Sequence, residues 1–417
     1  MACNGDCKSC TNGFDKKTPS FGQIGLDGIN KAITSFQYNP EIHSRPNVVF
    51  LGVTARCNLK CKYCFVKQHN TDMSLETARN AVNIAVENAK AHDEKASVVF
   101  FGGEPLLMYD EIMVPIIEEY HEVADFTFTT NATLLDEDKV DFLRKYEVVP
   151  LISLDGVKEV QDSQRPGWGF SSFDSVLNNI PYILFRFPDV TMRATVSKEF
   201  IPKIYESFEM GKELGFKHFS FCIDAFDEWD EEDARNYMIQ MNKVGEDIYR
   251  NALNGEVYTE STLNASYFDC ETVIYGNGKF NNEVMKCGMG TVSMSVTPDG
   301  LIVPCQEKIS NPTWVIGDVN NGGIDPEKHC EFLIWYLNEM DKIKCPNNCG
   351  NAVKEFCMAR QCSSRLEDIN FSITSSMCAQ TKILFNIGNR LWHLTHDSIL
   401  PGVRAAFEIQ EKGEGQC

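Results

Sequence analysis

The stretch VVFLGVTARCNLKCKYCF, residues 48–65, decides the fold. The apolar run over 47–54 reads as a strand. It ends in three cysteines, Cys57, Cys61 and Cys64, spaced C-x3-C-x2-C. Strand ends are where α/β folds present ligands. Three thiolates from one loop supply three of the four ligands that a four-iron cluster takes, one per iron. The fourth iron is then open to a small chelating ligand, as the open position of a catalytic zinc site is. The opening segment MACNGDCKSC repeats the spacing with Cys3, Cys7 and Cys10. No strand leads into that copy, and no aromatic residue flanks its last cysteine. It reads as a reduced flexible arm, a further metal site, a lid on another cluster, or a mimic of a Cys-rich substrate.

Outward from this stretch the strand-then-helix pattern recurs. Strand-like runs lie at 97–103, 126–132, 148–155, 191–197 and 218–224. Ser74 is placed to cap a helix whose Leu75, Ala78, Val82, Ala85 and Ala89 share one face. Further helices are expected around 109–122, from Asp136, over 173–187 with a kink at Pro181, over 201–214 and over 231–252. Six strands alternating with six helices predict an α/β fold with strands buried on both faces. A doubly wound sheet also fits the alternation; the motifs select a partial (β/α)6 TIM barrel. Beyond residue 255 the texture changes. VSMSVTPDGLIVPC (292–305) reads as a hairpin about Pro298-Asp299-Gly300. The expected organisation is an arm over 1–45, the barrel over 46–254, a Cys-rich domain over 255–379, and a C-terminal helix and tail over 380–417.

The chain has 417 residues, 17 of them cysteine, and a formal net charge of −20. No apolar run follows the first residue and none reaches membrane-spanning length, so no secretion signal or membrane partner is expected. A reducing, cytoplasmic location follows, where clustered cysteines mean metal rather than disulfides. No basic run marks a phosphate-binding surface, which argues against nucleic acid. The acidic surface favours solubility and would attract a positively charged peptide.

Tyr63 precedes Cys64, Phe65 follows it, and FFGGEP (100–105) closes the next strand. This arrangement, over about 47–224, closely resembles the radical S-adenosylmethionine (radical SAM) superfamily. The resemblance implies a [4Fe–4S] cluster on Cys57, Cys61 and Cys64, with SAM chelating the open iron. It places Tyr63 and Phe65 beside the cofactor and Gly102, Gly103 and Glu104 at the SAM amino group. Ser153 and Asp155, in ISLDG, would contact SAM, and Arg193, in MRATV, would fork onto its carboxylate. Asn131, in TTNATLL, matches a common Thr-Asn-Gly segment and reads as structural; Ala132 stands where Gly is usual. The implied chemistry is one-electron cleavage of SAM to a 5′-deoxyadenosyl radical that abstracts hydrogen from a strong C–H bond. A zinc knuckle, the bland alternative, needs a fourth ligand and does not predict GGE.

Downstream, Cys287, Gly300 and Cys305 give C-x12-G-x4-C, followed by Cys345, Cys349, Cys357, Cys362 and Cys378. Order and count resemble the SPASM extension, although the inner spacings are longer than usual. The resemblance implies two auxiliary [4Fe–4S] clusters. Cys345, Cys349, Cys357 and Cys378 would ligate the outer one, and Cys287, Cys305 and Cys362 the inner one. For the inner cluster either Cys270 supplies the fourth thiolate or one iron is open to a substrate thiolate. Cys330 and Cys417 stay unassigned. SPASM proteins mostly modify peptides, with a flavodoxin or ferredoxin-type reductant as partner. The sulfatase maturases carry an Asp after the residue matching Cys305, as general base. Here Gln306 stands there and cannot accept a proton. Glu307 is adjacent but on a strand would point elsewhere. The favoured reading is a maturase of ribosomally made peptides, forming a thioether or other cross-link or epimerising a residue. The alternatives are formylglycine formation and a non-catalytic iron–sulfur electron carrier. In HFSFCID, alternation puts Ser220, Cys222 and Asp224 on one face. Cys222 is therefore a candidate hydrogen-atom donor or a buried small hydrophobe, with Asp224 and Glu307 as candidate catalytic carboxylates.

Overall fold

The computed structural model describes residues 45–275, 288–310, 314–342, 375–396, 398 and 400–408. Cys3, Cys7, Cys10, Cys287, Cys345, Cys349, Cys357, Cys362 and Cys417 lie outside the described residues. No helix among the described residues is long and apolar enough to cross a membrane.

The first six strands are β1 (Val48–Thr54), β2 (Ala96–Gly102), β3 (Ala124–Thr130), β4 (Val149–Ser153), β5 (Thr191–Val196) and β6 (His218–Ile223). They pair in parallel and in chain order. The helices between and after them are α1 (Leu75–Lys90), α2 (Val114–Tyr120), α3 (Glu137–Lys145), α4 (Lys158–Gln164), α5 (Ser172–Arg186), α6 (Ile204–Leu214) and α7 (Glu231–Leu253). Local chemistry sets their starts. Ser74, Asp136, Ser171 and Asp230 each accept a backbone N–H of the first turn. This is the expected six-unit partial barrel. Pro181 sits inside α5 as expected. The short helix α4 was not anticipated.

The expectation of strands buried on both faces holds for β1 and fails for β3, β5 and β6. In β6, Phe219 and Phe221 are buried while Ser220 and Cys222 are half-buried. Phe219 packs on Phe208 of α6, so the apolar face meets the helices. The same alternation runs through β3, where Phe126 and Phe128 are buried and Thr127 and Thr129 are half-buried. The register aligns Ser153 with Arg193 and Arg193 with Ser220, so one row of polar side chains crosses three strands on the inner face. A six-strand sheet does not close. Its inner face is half-polar among the described residues.

The sheet continues past both ends of this series. β7 (Thr259–Glu260) extends it beyond β6, and β8 (Ser293–Val296) pairs in parallel with β1. β8 and β9 (Leu301–Val303) form the expected hairpin, with Thr297 N–H on Leu301 O at 2.9 Å. β10 (Gly317–Asp318) and β11 (Gly323–Ile324) complete, among the described residues, eleven strands in the order β11-β10-β9-β8-β1-β2-β3-β4-β5-β6-β7. One sheet thus crosses the boundary expected at 254/255.

β7 is short and, among the described residues, leaves the outer edge of the upper half of β6 without a strand partner. Glu260 fills that gap. Its fully buried carboxylate accepts Phe221 N–H at 2.8 Å and Leu263 N–H at 2.9 Å, so it pairs the strand edge and caps α8 (Ser261–Tyr275) together. After α9 (Pro326–Lys342), the C-terminal helices α10 (Ser375–Thr395) and α11 (Pro401–Glu408) fold back onto α7 and α8. The expected single tail helix is therefore two, and the first begins at Ser375. At Gly388 of α10 an added Cβ would stand 2.7 Å from the Ser266 carbonyl of α8, so the two backbones touch.

Candidate functional site

Loop 55–71 rises from the carboxyl end of β1, and hydrogen bonds close it at its root. Ala55 N–H donates to Thr71 O (2.9 Å) and Met73 N–H to Val53 O (2.8 Å). Asp72 accepts from the Thr54 hydroxyl (2.6 Å) and from Arg56 Nε (2.8 Å). The end of β2 lies against the same root, with Gly103 N–H on Thr54 O (2.8 Å) and Glu104 N–H on Arg56 O (2.9 Å). This contact explains both glycines. Gly102 has φ +124°, and a Cβ on Gly103 would stand 2.0 Å from Arg56 O. Further along, Lys60 N–H and Lys62 N–H donate to Pro166 O and Gln164 O, and Lys67 N–H donates to Ser310 Oγ. The loop therefore spans from the segment after α4 to the turn after β9.

Cys57 and Cys61 are half-buried and Cys64 is exposed. Leu59 N–H lies 3.4 Å from Cys57 Sγ, and Asn131 Nδ2 lies 3.9 Å from it. Burial pushes the Cys57 thiol up to about 12 and raises Cys61 and Cys64 as well. Thiolates here need a neighbouring positive charge. The Arg165 guanidinium acts on Cys61 and Cys64 in that sense. An open cleft of ≈ 390 Å³ borders Cys57, lined by Arg56, Asn58, Gln68, His69 and Leu107 among others.

Arg165 belongs to a buried network that the sequence reading did not anticipate. Asp155 is fully buried. It accepts from the Tyr63 hydroxyl and from Thr195 N–H (2.9 Å), and it lies 3.0 Å from Arg165 Nε. Arg165 also faces the Tyr63 ring, 5.2 Å from its centroid. Asp155 therefore fixes the aromatic beside Cys64 and a buried cation beside Cys61. That Nε has an ion-pair partner but no aligned hydrogen-bond acceptor. Phe65, on the other side of Cys64, stacks on Phe101 at 5.9 Å.

Glu104 has a duty that was not foreseen. It is 1 % exposed, and its carboxylate accepts from Leu106 N–H (3.1 Å), the Thr130 hydroxyl (2.8 Å) and Asn131 N–H (2.8 Å). It clasps the ends of β2 and β3. Asn131 in turn donates to Asn58 Oδ1 at 2.8 Å and so braces the cysteine loop. Ala132 adopts φ +57°, the backbone region in which Gly is least strained.

Ser153 is buried, in the row with Arg193, whose Nη1 lies 3.3 Å from Thr195 Oγ1. Cys222 and Ser220 share the inner face, Sγ to Oγ 3.5 Å, and Asp224 directly follows the strand's last residue, Ile223. Glu307 needs a correction. Residues Gln306–Lys308 form a 3-10 turn, so strand alternation says nothing about its direction. Cys305 opens that turn, half-buried. Cys270 is fully buried on α8, its thiol donating to Phe385 O of α10 (3.4 Å). Cys330 is buried on α9, and Cys378 is half-buried on α10.

Among the described residues, no three His, Cys, Asp or Glu side chains gather as ligands of one metal ion. The loop's donor set, three soft thiols with a buried cation beside them, fits a polynuclear iron–sulfur cluster with one thiolate per iron.

Residues 51–238 match the model of the Radical SAM superfamily. The chain is 24% identical over 295 residues to the cysteine-type anaerobic sulfatase-maturating enzyme of Clostridium perfringens, covering 64% of this chain and 75% of that one. It is 29% identical over 325 residues to the radical SAM cyclopropyl synthase TigE of Paramaledivibacter caminithermalis, covering 72% and 64%. Its fold is that of anSMEcpe solved with bound AdoMet, at TM-score 0.67 and 20% identity over 87% of this chain and 98% of that one. The same protein has been solved with AdoMet and the Cp18Cys peptide, at TM-score 0.65, 21% identity and coverage of 83% and 98%.

Proposed function

Since residues 51–238 are a radical SAM domain, we propose that this chain cleaves SAM reductively and modifies a ribosomally made peptide. The observation that carries the reading is the closed three-thiol loop, rooted on the end of β1 and braced by the Tyr63–Asp155–Arg165 network. When bound, the cluster and SAM supply a 5′-deoxyadenosyl radical that takes hydrogen from the substrate. The residues of the chain do the rest. Cys57, Cys61 and Cys64 hold the cluster. The backbone edge at Gly102 and Gly103 offers close approach to the methionyl ammonium, with Glu104 fixing that edge. Ser153, Asp155 and Arg193 orient SAM from the inner face, and Tyr63 and Phe65 wall the cluster. Arg165, the buried cation paired with Asp155, is a further candidate for the SAM carboxylate. The half-polar inner face receives the peptide, with Cys222 and Asp224 at its rim.

In the Cys-rich region we infer two auxiliary [4Fe–4S] clusters. The outer one takes Cys345, Cys349, Cys357 and Cys378, and the inner one Cys287, Cys305 and Cys362. Cys270 donates to a carbonyl in the α8–α10 seam. That contact supports an inner cluster with one iron open to a substrate thiolate, and hence a thioether or other cross-link. Epimerisation would instead use Cys222 as donor. Formylglycine formation on a protein substrate is the second reading, favoured by the relatives' names. It asks for a base where Gln306 stands, a role then left to Glu307 or Asp224.

The test is anaerobic reconstitution with iron and sulfide, then reduction by dithionite in the presence of SAM. The wild type is expected to release 5′-deoxyadenosine. A Cys57→Ala/Cys61→Ala/Cys64→Ala variant should release none and hold about four fewer irons, of roughly 12 in a three-cluster chain. Wild-type protein with full iron and no 5′-deoxyadenosine would overturn the reading. Mass spectrometry of the peptide separates the outcomes: a cross-link loses two hydrogens and an epimer keeps its mass.

A further inference from the structure

The cysteine loop is electrically unlike the rest of the chain. The protein carries 59 acidic residues against 39 Lys and Arg. Between Ala55 and Thr71 stand Arg56, Lys60, Lys62 and Lys67, with no carboxylate among them. Arg56 is committed to Asp72 (2.8 Å). Lys60, Lys62 and Lys67 are exposed, and among the described residues none of the three makes an ion pair. Lys60 Nζ lies over the exposed Trp168 ring, and Lys62 Nζ donates to Ser163 Oγ at 3.1 Å. Glu199 is the carboxylate that feels Lys62, and it keeps its own partner, Ser197. The cations alternate with the thiols, since Lys60 and Lys62 bracket Cys61. The open cleft beside Cys57 lies on the same loop.

We propose that Lys60, Lys62 and Lys67 form a docking collar for a small acidic one-electron carrier protein, which reduces the cluster through the outer side of the loop. The proposal rests on the radical SAM reading above and adds to it the site and chemistry of the reductant's contact. A carrier of negative charge is repelled by the net acidic chain and attracted at this loop. The charge pattern therefore selects orientation as well as position. That place brings the carrier's redox centre over the thiols. A cationic peptide, by contrast, would be drawn to the acidic remainder of the surface and repelled here. One electron leaves the carrier, whose centre is oxidised by one unit. It enters the cluster, which is reduced by one unit, and no atom or proton moves.

The test compares wild type with a Lys60→Glu/Lys62→Glu/Lys67→Glu variant, both reconstituted. Flavodoxin is the probe. Binding is measured by calorimetry, and cluster reduction by the loss of visible absorbance after mixing with photoreduced flavodoxin. The variant should bind flavodoxin at least about tenfold more weakly at low ionic strength. The gap should close to within about threefold at 1 M salt, where the screening length is about 3 Å. Iron content and reduction by dithionite should match wild type. Equal flavodoxin affinity in the two proteins, or a gap that ignores salt, overturns the collar. Failure of the underlying reading shows separately, as absence of 5′-deoxyadenosine from dithionite-reduced wild type.

Discussion

Two buried glutamates do the same work, Glu104 between the ends of β2 and β3 and Glu260 at the edge of β6. Glu104 and Glu260 each offer one oxygen to one backbone N–H and the other oxygen to a second. A Gln in either place must turn its NH2 toward a backbone donor, whichever way the amide flips. Glu104→Gln should therefore cost about 1–3 kcal/mol, the penalty of an unsatisfied buried group, read by urea unfolding at pH 8. Burial raises the Glu104 carboxyl to about 7, against three hydrogen bonds that favour its charged form. The folded state then binds this proton more tightly than the unfolded chain does. Its stabilising contribution is complete below the ordinary value of 4.5 and is lost as pH rises through about 7. Wild-type stability should fall across that window more steeply than that of the Gln variant. The resemblance gave Glu104 to the SAM amino group through GGE; its bonds to Thr130 and Asn131 stayed hidden because those partners are distant in the chain. Arg165 escaped notice for the same reason: an arginine after a short unpredicted helix carries no spacing signal. The loop that gathers Cys57, Cys61 and Cys64 was legible because residues of one short loop are close in sequence.

At the scale of elements, amphipathic helices with side-chain caps were readable, and α8 was not. Its apolar residues are spread around its circumference, because it meets β6 on one side and α10 on another. A single-face pattern is the signature of a helix with one buried side. The period-two pattern of HFSFCID was also legible, and it placed Ser220 and Cys222 together as found. The direction expected for Glu307 rested on strand alternation, but the strand ends at Val303 and a 3-10 turn begins after Cys305. The α8–α10 seam depends on Gly388. Gly388→Ala should push the helices apart at a cost of about 1–3 kcal/mol. Hydrogen exchange should quicken in α8 and α10 while the amides of β2–β4 keep their protection.

At the scale of the whole molecule, the sheet is the unit of stability. β1 carries the cysteine loop and has a parallel partner on each side, β2 and β8. A chain cut after residue 254 would leave β1 with an open edge and remove the helices that cover β6. Such a fragment should be insoluble or self-associated, checked by light scattering, although it contains every residue assigned to the SAM site. The domain boundary expected near 255 follows a change of sequence texture, and that change falls between two parts of one sheet.

The pairing of β1 with β8 also sets a clock for biosynthesis. Roughly 240 residues separate Cys64 from Val303. At about 5–20 residues per second, the ribosome needs roughly 12–48 s to deliver the second flank of the strand that bears the thiols. For that interval the nascent chain shows three cysteines on a loop whose root strand is only half enclosed. Iron delivery that waits for release meets a finished cradle; delivery during translation meets thiols still free to be oxidised.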